Sequence, residues 1–154
     1  MKTPSQTVGP YYTIGLVRRD DSRLAERADP ASVRLIGQLL DGQGTPISDG
    51  MIELFDGARW GRSGTDSEGR FSFTVTKPRA RPGETPRFDV WVHARGLLRN
   101  QLTRIYFPDE PNETDPVFAG LGPERETLLA EQEDGALRFD IRMQGDRATV
   151  FFAH

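Results

Sequence analysis

An arginine and an aspartate two positions apart, Arg87 and Asp89, stand in the alternating run TPRFDVWVHARG at residues 85–96. A strand of period two sends both to one face, together with Trp91 and His93. A guanidinium and a carboxylate so placed can orient an anionic substrate, belong to a metal site, or pair with each other as exposed ion pairs commonly do. Arg95 and Arg104 stand beside apolar strand residues, where a guanidinium suits bidentate capture of an aromatic carboxylate or the joining of two subunits. The two histidines, His93 and His154, form no ligand cluster at a spacing diagnostic of iron or zinc. The run TVGPYY at residues 7–12 offers a hydroxyl, backbone groups and two amphipathic rings that could line a pocket at an interface. The serines lie in no nucleophile elbow and no phosphate loop is present.

The elements that must carry these residues read as short strands. Residues 33–57 hold two strand-like runs around a turn at Asp41, Gly42, Gly44 and Pro46. Asp66 to Gly69 form the next turn, after which Phe71, Phe73 and Val75 share one strand face. The glycines of GARWGRSG, residues 57–64, suggest a tight loop with Trp60 packed on an apolar edge. Residues 80–86 read as a connecting loop, RFDVWVHA and LTRIYF as strands, and residues 123–131 as a short helix. Residues 136–152 read as two strands joined at QGDR, and the charged stretch at residues 17–32 as solvent-facing with one helical turn. Short strands punctuated by glycine, proline and aspartate predict an all-β sandwich with minor helix.

A chain of 154 residues suits one domain, residues 1–154. A net charge of −3 with 36% hydrophobic residues fits a soluble globular protein and argues against a nucleic-acid footprint. With no cysteine, disulfides and thiolate chemistry are excluded. The N-terminal residues read as neither signal peptide nor membrane span, so the expected location is cytoplasmic.

Three segments, TPSQTVGPYYTIGL, HARGLLRNQLTRIYFPDEPNETDPV and LRFDIRMQGDRATVFF, resemble the noncatalytic alpha subunits of the intradiol ring-cleavage dioxygenase family. The resemblance implies an intradiol-dioxygenase-like β-sandwich with short peripheral helices and an extended N-terminal arm, residues 1–17, at a subunit interface. It implies a homologous catalytic beta subunit that holds Fe(III) through two tyrosines and two histidines. Arg87 and Asp89 match the histidine positions, Phe71 matches one tyrosine, and the stretch around residues 55–63 is shortened and lacks the other. These are read as vestigial metal-site positions, with no catalytic residue and no metal of the chain's own. The resemblance further implies that Thr7, Gly9, Pro10, Tyr11 and Arg95 reach the partner's iron pocket and bind substrate there. The implied reaction cleaves 3,4-dihydroxybenzoate (protocatechuate) with O2 to 3-carboxy-cis,cis-muconate, without nucleic acid or membrane. The competing reading is a stand-alone β-sandwich binding or assembly protein.

Overall fold

Aspartates at the starts of three turns set the hairpins. The Asp41, Asp56 and Asp66 side chains each accept two backbone N–H groups from the following residues, at 2.6–2.9 Å. Such local bonds reverse the chain without a partner element. In the computed structural model, which describes residues 2–9, 11–26 and 29–153, nine strands result. They are β1 (Val33–Leu40), β2 (Met51–Phe55), β3 (Trp60–Gly64), β4 (Arg70–Val75), β5 (Arg87–His93), β6 (Gln101–Tyr106), β7 (Glu131–Glu133), β8 (Ala136–Arg138) and β9 (Ile141–Arg142).

The first sheet has the order β4-β1-β8-β7, with β9 also on β1, and the second the order β3-β2-β5-β6. Strand β1 pairs antiparallel with β4 but parallel with β8 and β9. The inward positions of both sheets, including Leu35, Phe73, Leu54, Phe88, Val90 and Ile105, merge into one core. Gly37 is required there, because a Cβ would collide with the Phe139 carbonyl and the Phe71 ring. The all-β sandwich expected from the turn spacing is the architecture found.

Several local expectations are corrected. Residues 57–64 are mostly strand: Asp56 N donates to the Arg59 carbonyl at 3.1 Å, closing a tight hairpin, and Trp60–Gly64 pairs along β2. The predicted helix at residues 123–131 is a 3-10 segment, Pro123–Leu128, which gives way to β7. At the C-terminus β8 and β9 both precede QGDR, and the last residues meet the second sheet through an isolated bridge between Leu102 and Phe152. Among the described residues 17–32 contain turns and no helix; helix α1 (Tyr12–Leu16) lies instead within the N-terminal arm. A second short helix, α2 (Pro116–Ala119), is capped by Asp115, whose side chain accepts from Val117 N and Phe118 N. Among the described residues no helix is long and apolar enough to cross a membrane.

Candidate functional site

Strand β5 lies between β2 and β6, and its alternation places Phe88, Val90 and Val92 in the core. Arg87, Asp89, Trp91 and His93 therefore share the outer face of the second sheet, as period two requires. Tyr106 stands opposite Arg87, while Phe55 and Arg104 flank Asp89.

The first half of this face is no exposed ion pair. The Arg87 side chain is only 4% exposed, covered by Glu84 from the preceding loop and by Asp115 from the start of α2. Its Nη1 donates to Glu84 Oε2 at 2.6 Å and lies 3.6 Å from Asp115 Oδ2, and its Nε donates to Asp89 Oδ1 at 3.3 Å. Arg81 and Arg104 approach Asp89 at 3.6 and 3.4 Å. Tyr106 donates its hydroxyl proton to Asp115 Oδ1 at 3.2 Å and accepts from Arg104 Nη1 at 3.3 Å. Thr85 N donates to Asp115 Oδ2 at 3.3 Å, and Thr85 Oγ1 donates to the buried Asn112 Oδ1 at 3.2 Å. Arg104 Nε is buried without a hydrogen bond of good alignment, so its contact with Asp89 is ionic. The Arg104 guanidinium also stacks over Phe152, 5.1 Å from the ring centre.

Three guanidinium groups thus face three carboxylates. Hydrogen bonding from Arg87 holds Glu84 below the ordinary carboxylate range. Burial alone would lower the Arg87 pKa, but Glu84 and Asp89 raise it. Burial raises the Tyr106 phenol. Ferric iron takes anionic oxygen and neutral nitrogen donors. Here each carboxylate is committed to an arginine, and the buried Arg87 guanidinium would sit beside a trivalent cation and repel it. These residues do not fit the ion. Among the described residues no group of three or more His, Cys, Asp or Glu side chains is placed to hold a metal.

Phe71 does not join this cluster. It lies on β4 in the other sheet, 3% exposed, directly opposite Gly37 and edge-on to Phe73 in the core. Its inward orientation follows from sharing a strand face with Phe73 and Val75. Phe71 therefore does not line one surface with Arg87 and Asp89.

At the other end of β5 the arm docks. Gly96 N donates to Thr7 Oγ1 at 2.9 Å. The Tyr12 hydroxyl sits between the carbonyls of Asp49 and His93, at 2.7 and 2.9 Å, and burial with the Asp49 charge pushes its pKa strongly upward. Arg62 Nη1 donates to the Leu16 carbonyl at 2.6 Å, while its Nε and Nη2 hold Glu53, which His93 Nε2 also meets at 2.9 Å. Gly9 and Gly96 have φ of +77° and +90°, turns that side chains rarely adopt. Arg95, 63% exposed at its side chain, lies 2.9 Å from Asp49 Oδ2 in an ionic contact without hydrogen-bond alignment. Tyr11 is 76% exposed and points away from this chain, whereas Tyr12 is the ring that turns in. Pro10 and His154 lie outside the described residues.

Helix α1 buries none of its residues. Of the large hydrophobic side chains left exposed, Val8, Tyr11, Ile14 and Leu16 lie in the arm, Leu98 lies in the loop after β5, and Trp60 lies on β3. Exposed apolar side chains are thus concentrated in the arm. Sequence reasoning missed Glu84, Tyr106 and Asp115, the partners that bury Arg87. For Asp115 a signal existed, since Asp before Pro is an N-cap signature; nothing local marked Tyr106.

No family model matches the chain. Among curated proteins it is similar to the protocatechuate 3,4-dioxygenase alpha chain of Burkholderia cepacia, 36% identical with 98% of this chain and 96% of that protein covered. The alpha chain of the same name from Pseudomonas putida is 33% identical at the same coverage. The first alignment runs over 192 positions, more than the 154 residues here, so the relative carries residues with no counterpart in this chain. Among solved structures, the dioxygenase domain of a dioxygenase and carbohydrate-binding protein fusion from Streptomyces sp. SirexAA-E has a TM-score of 0.67 at 24% identity, with 93% of this chain and 98% of that chain covered. An intradiol ring-cleavage dioxygenase from Tetranychus urticae has a TM-score of 0.65 at 17% identity, covering 90% and 91%. At these identities the likeness is one of fold.

Proposed function

This chain belongs to the protocatechuate 3,4-dioxygenase alpha-chain family, and from that premise we propose that it completes an active site whose ferric ion is held by a homologous beta subunit. The complex cleaves 3,4-dihydroxybenzoate with O2 to 3-carboxy-cis,cis-muconate. Residues 1–154 act as one domain, and residues 1–17 serve as the arm that meets the partner, in a cytoplasmic assembly.

The observation that carries this reading is the contrast between a docked arm backbone and an undocked arm surface. Thr7, Tyr12 and Leu16 tie the segment to the sandwich, yet Tyr11 and Ile14 are 76% and 78% exposed. A segment held in place with its apolar side chains outward is preorganised for a second protein. The same surface carries Arg95, whose guanidinium meets Asp49 through Nε but is 63% exposed and so accessible to the carboxylate of an aromatic acid. Thr7, Gly9 and Pro10 shape the wall of the shared pocket and Tyr11 closes it, while Arg95 orients the substrate anion. The ferric ion supplies activation of the dihydroxylated ring; this chain supplies orientation and exclusion of competing poses.

Coexpression with the beta subunit tests the reading. Oxygen uptake with 3,4-dihydroxybenzoate is expected from the complex and not from this chain alone, and removal of residues 1–11 is expected to abolish assembly or turnover. Unchanged assembly and kinetics after that truncation would sink the role of the arm. Iron-dependent turnover by this chain alone would sink the noncatalytic reading.

A further inference from the structure

Far more positive charge collects in one place than a chain of net charge −3 leads one to expect. A groove of about 810 Å³ runs over the outer face of the first sheet, beside the edge strand β3, and Arg18, Arg19, Arg34, Arg62, Arg70 and Arg138 all line it. The one acidic lining residue is Asp66, whose carboxylate already accepts the backbone N–H groups of Glu68 and Arg70 in the turn before β4.

The register of the sheet arranges part of this charge. On β1, Ile36 lies between Ser72 of β4 and Arg138 of β8, which gives the floor an apolar centre. Arg34 stands at one end, and Arg70, opposite Gln38, stands at the other. Four residue steps along β1 separate the two ends, about 13 Å along the sheet. Val17 adds apolar surface and Ser22 a hydroxyl from the segment after α1. Arg62 and Arg138 are held by Glu53 and by Asp140 with Glu133. Arg70 approaches Glu68 no closer than 4.0 Å at an exposed site, and Arg18, Arg19 and Arg34 form no ion pair among the described residues.

We propose that this groove is a binding site for a small elongated polycarboxylate, an anion with carboxylates at both ends of a short apolar body. Guanidinium groups bind carboxylates bidentately, and their separation along β1 asks for two anionic ends rather than one. The apolar centre at Ile36 matches a hydrocarbon spacer. A compact inorganic anion would reach one end alone. This site borders the end of the arm at Val17 but includes neither Tyr11 nor Arg95, and it stands whether or not those residues serve a partner's active site.

Calorimetric titration of the full chain, and of its complex with the beta subunit, tests the proposal with adipate and hexanoate as probes, which share a six-carbon chain and differ in the second carboxylate. Adipate is expected to bind saturably and hexanoate at least about tenfold more weakly, the value of one charge-assisted hydrogen-bonded pair. Arg34→Gln and Arg70→Gln, both at exposed positions, are each expected to weaken adipate about tenfold without lowering the melting temperature. Arg95→Ala is expected to leave adipate binding unchanged while altering turnover, which separates this site from the catalytic reading. Equal affinity for the two probes, adipate binding indifferent to both glutamine variants, or loss of the site in the complex would overturn the proposal. Tighter binding of a hexaglutamate peptide than of adipate would also overturn it, assigning the groove to an acidic polypeptide instead.

Discussion

Arg87 and Arg95 flank the two ends of strand β5 and show what burial does to one residue type. Arg87 is 4% exposed at its side chain and is surrounded by Glu84, Asp89 and Asp115. Arg95 is 63% exposed and, among the described residues, forms an ion pair with Asp49 alone. A buried guanidinium must be satisfied inside the molecule, because the desolvation of an ion is repaid only by close partners. An exposed one keeps its hydrogen-bonding capacity for another molecule. The same strand therefore ends in a closed charge cluster on one side and in an exposed, singly paired arginine on the other.

The largest test of this contrast is Arg87→Met. It leaves three carboxylates without their shared cation and is expected to cost about 3–5 kcal/mol in urea denaturation. A loss below about 1 kcal/mol would mean that the cluster is not a buried network. Phe71→Ala is expected to cost about as much, 3–5 kcal/mol, through cavity formation in the core. That loss should come with an unchanged Michaelis constant in the complex, which keeps Phe71 out of the site.

Smaller effects sharpen the open end. Arg95→Ala is expected to raise the Michaelis constant for 3,4-dihydroxybenzoate about tenfold, roughly one charge-assisted pair. Stability should change by no more than about 0.5 kcal/mol, as for most exposed ion pairs. A stability loss without a kinetic effect would reverse the assignment. Tyr12→Phe removes one hydroxyl bond and is expected to loosen the arm by about 1 kcal/mol, read as faster hydrogen exchange at residues 11–17. Unchanged exchange would mean that Thr7 and Arg62 suffice.

Acid should loosen both ends of the strand. Glu84 is depressed chiefly by its hydrogen bond from Arg87, and Glu53 by donors from His93 and Arg62 that outweigh its burial. A carboxylate depressed in the folded state stabilises fully above its unfolded value of 4.5 and loses that contribution as the pH falls through the folded value. This contribution is therefore expected to be constant from neutrality down to about the unfolded value of 4.5 and to decline below it, and Glu84→Gln should shallow the decline. An identical profile in Glu84→Gln would exclude this residue as a source.

Much of the fold was legible because its signals are local. Alternation in β4 and β5 and aspartates at turn starts are properties of a few consecutive residues, and they placed the strands correctly. Residues 57–64 misled for the same reason: glycines that permit a loop also permit an edge strand, and pairing with β2 decided between them. The helix expected at residues 123–131 is instead a 3-10 segment over Pro123–Leu128.

The sequence by itself determined that Arg87 and Asp89 share a face with Trp91 and His93, since side-chain period is fixed by the backbone. It also carried the family resemblance and the arm. What tertiary structure decided was depth and company. Glu84, Tyr106 and Asp115 converge on Arg87 from three segments, and Phe71 and Arg87 fall on different sheets. Burial depends on what packs over a face, and that is set by long-range sheet register and loop placement rather than by neighbours in the chain.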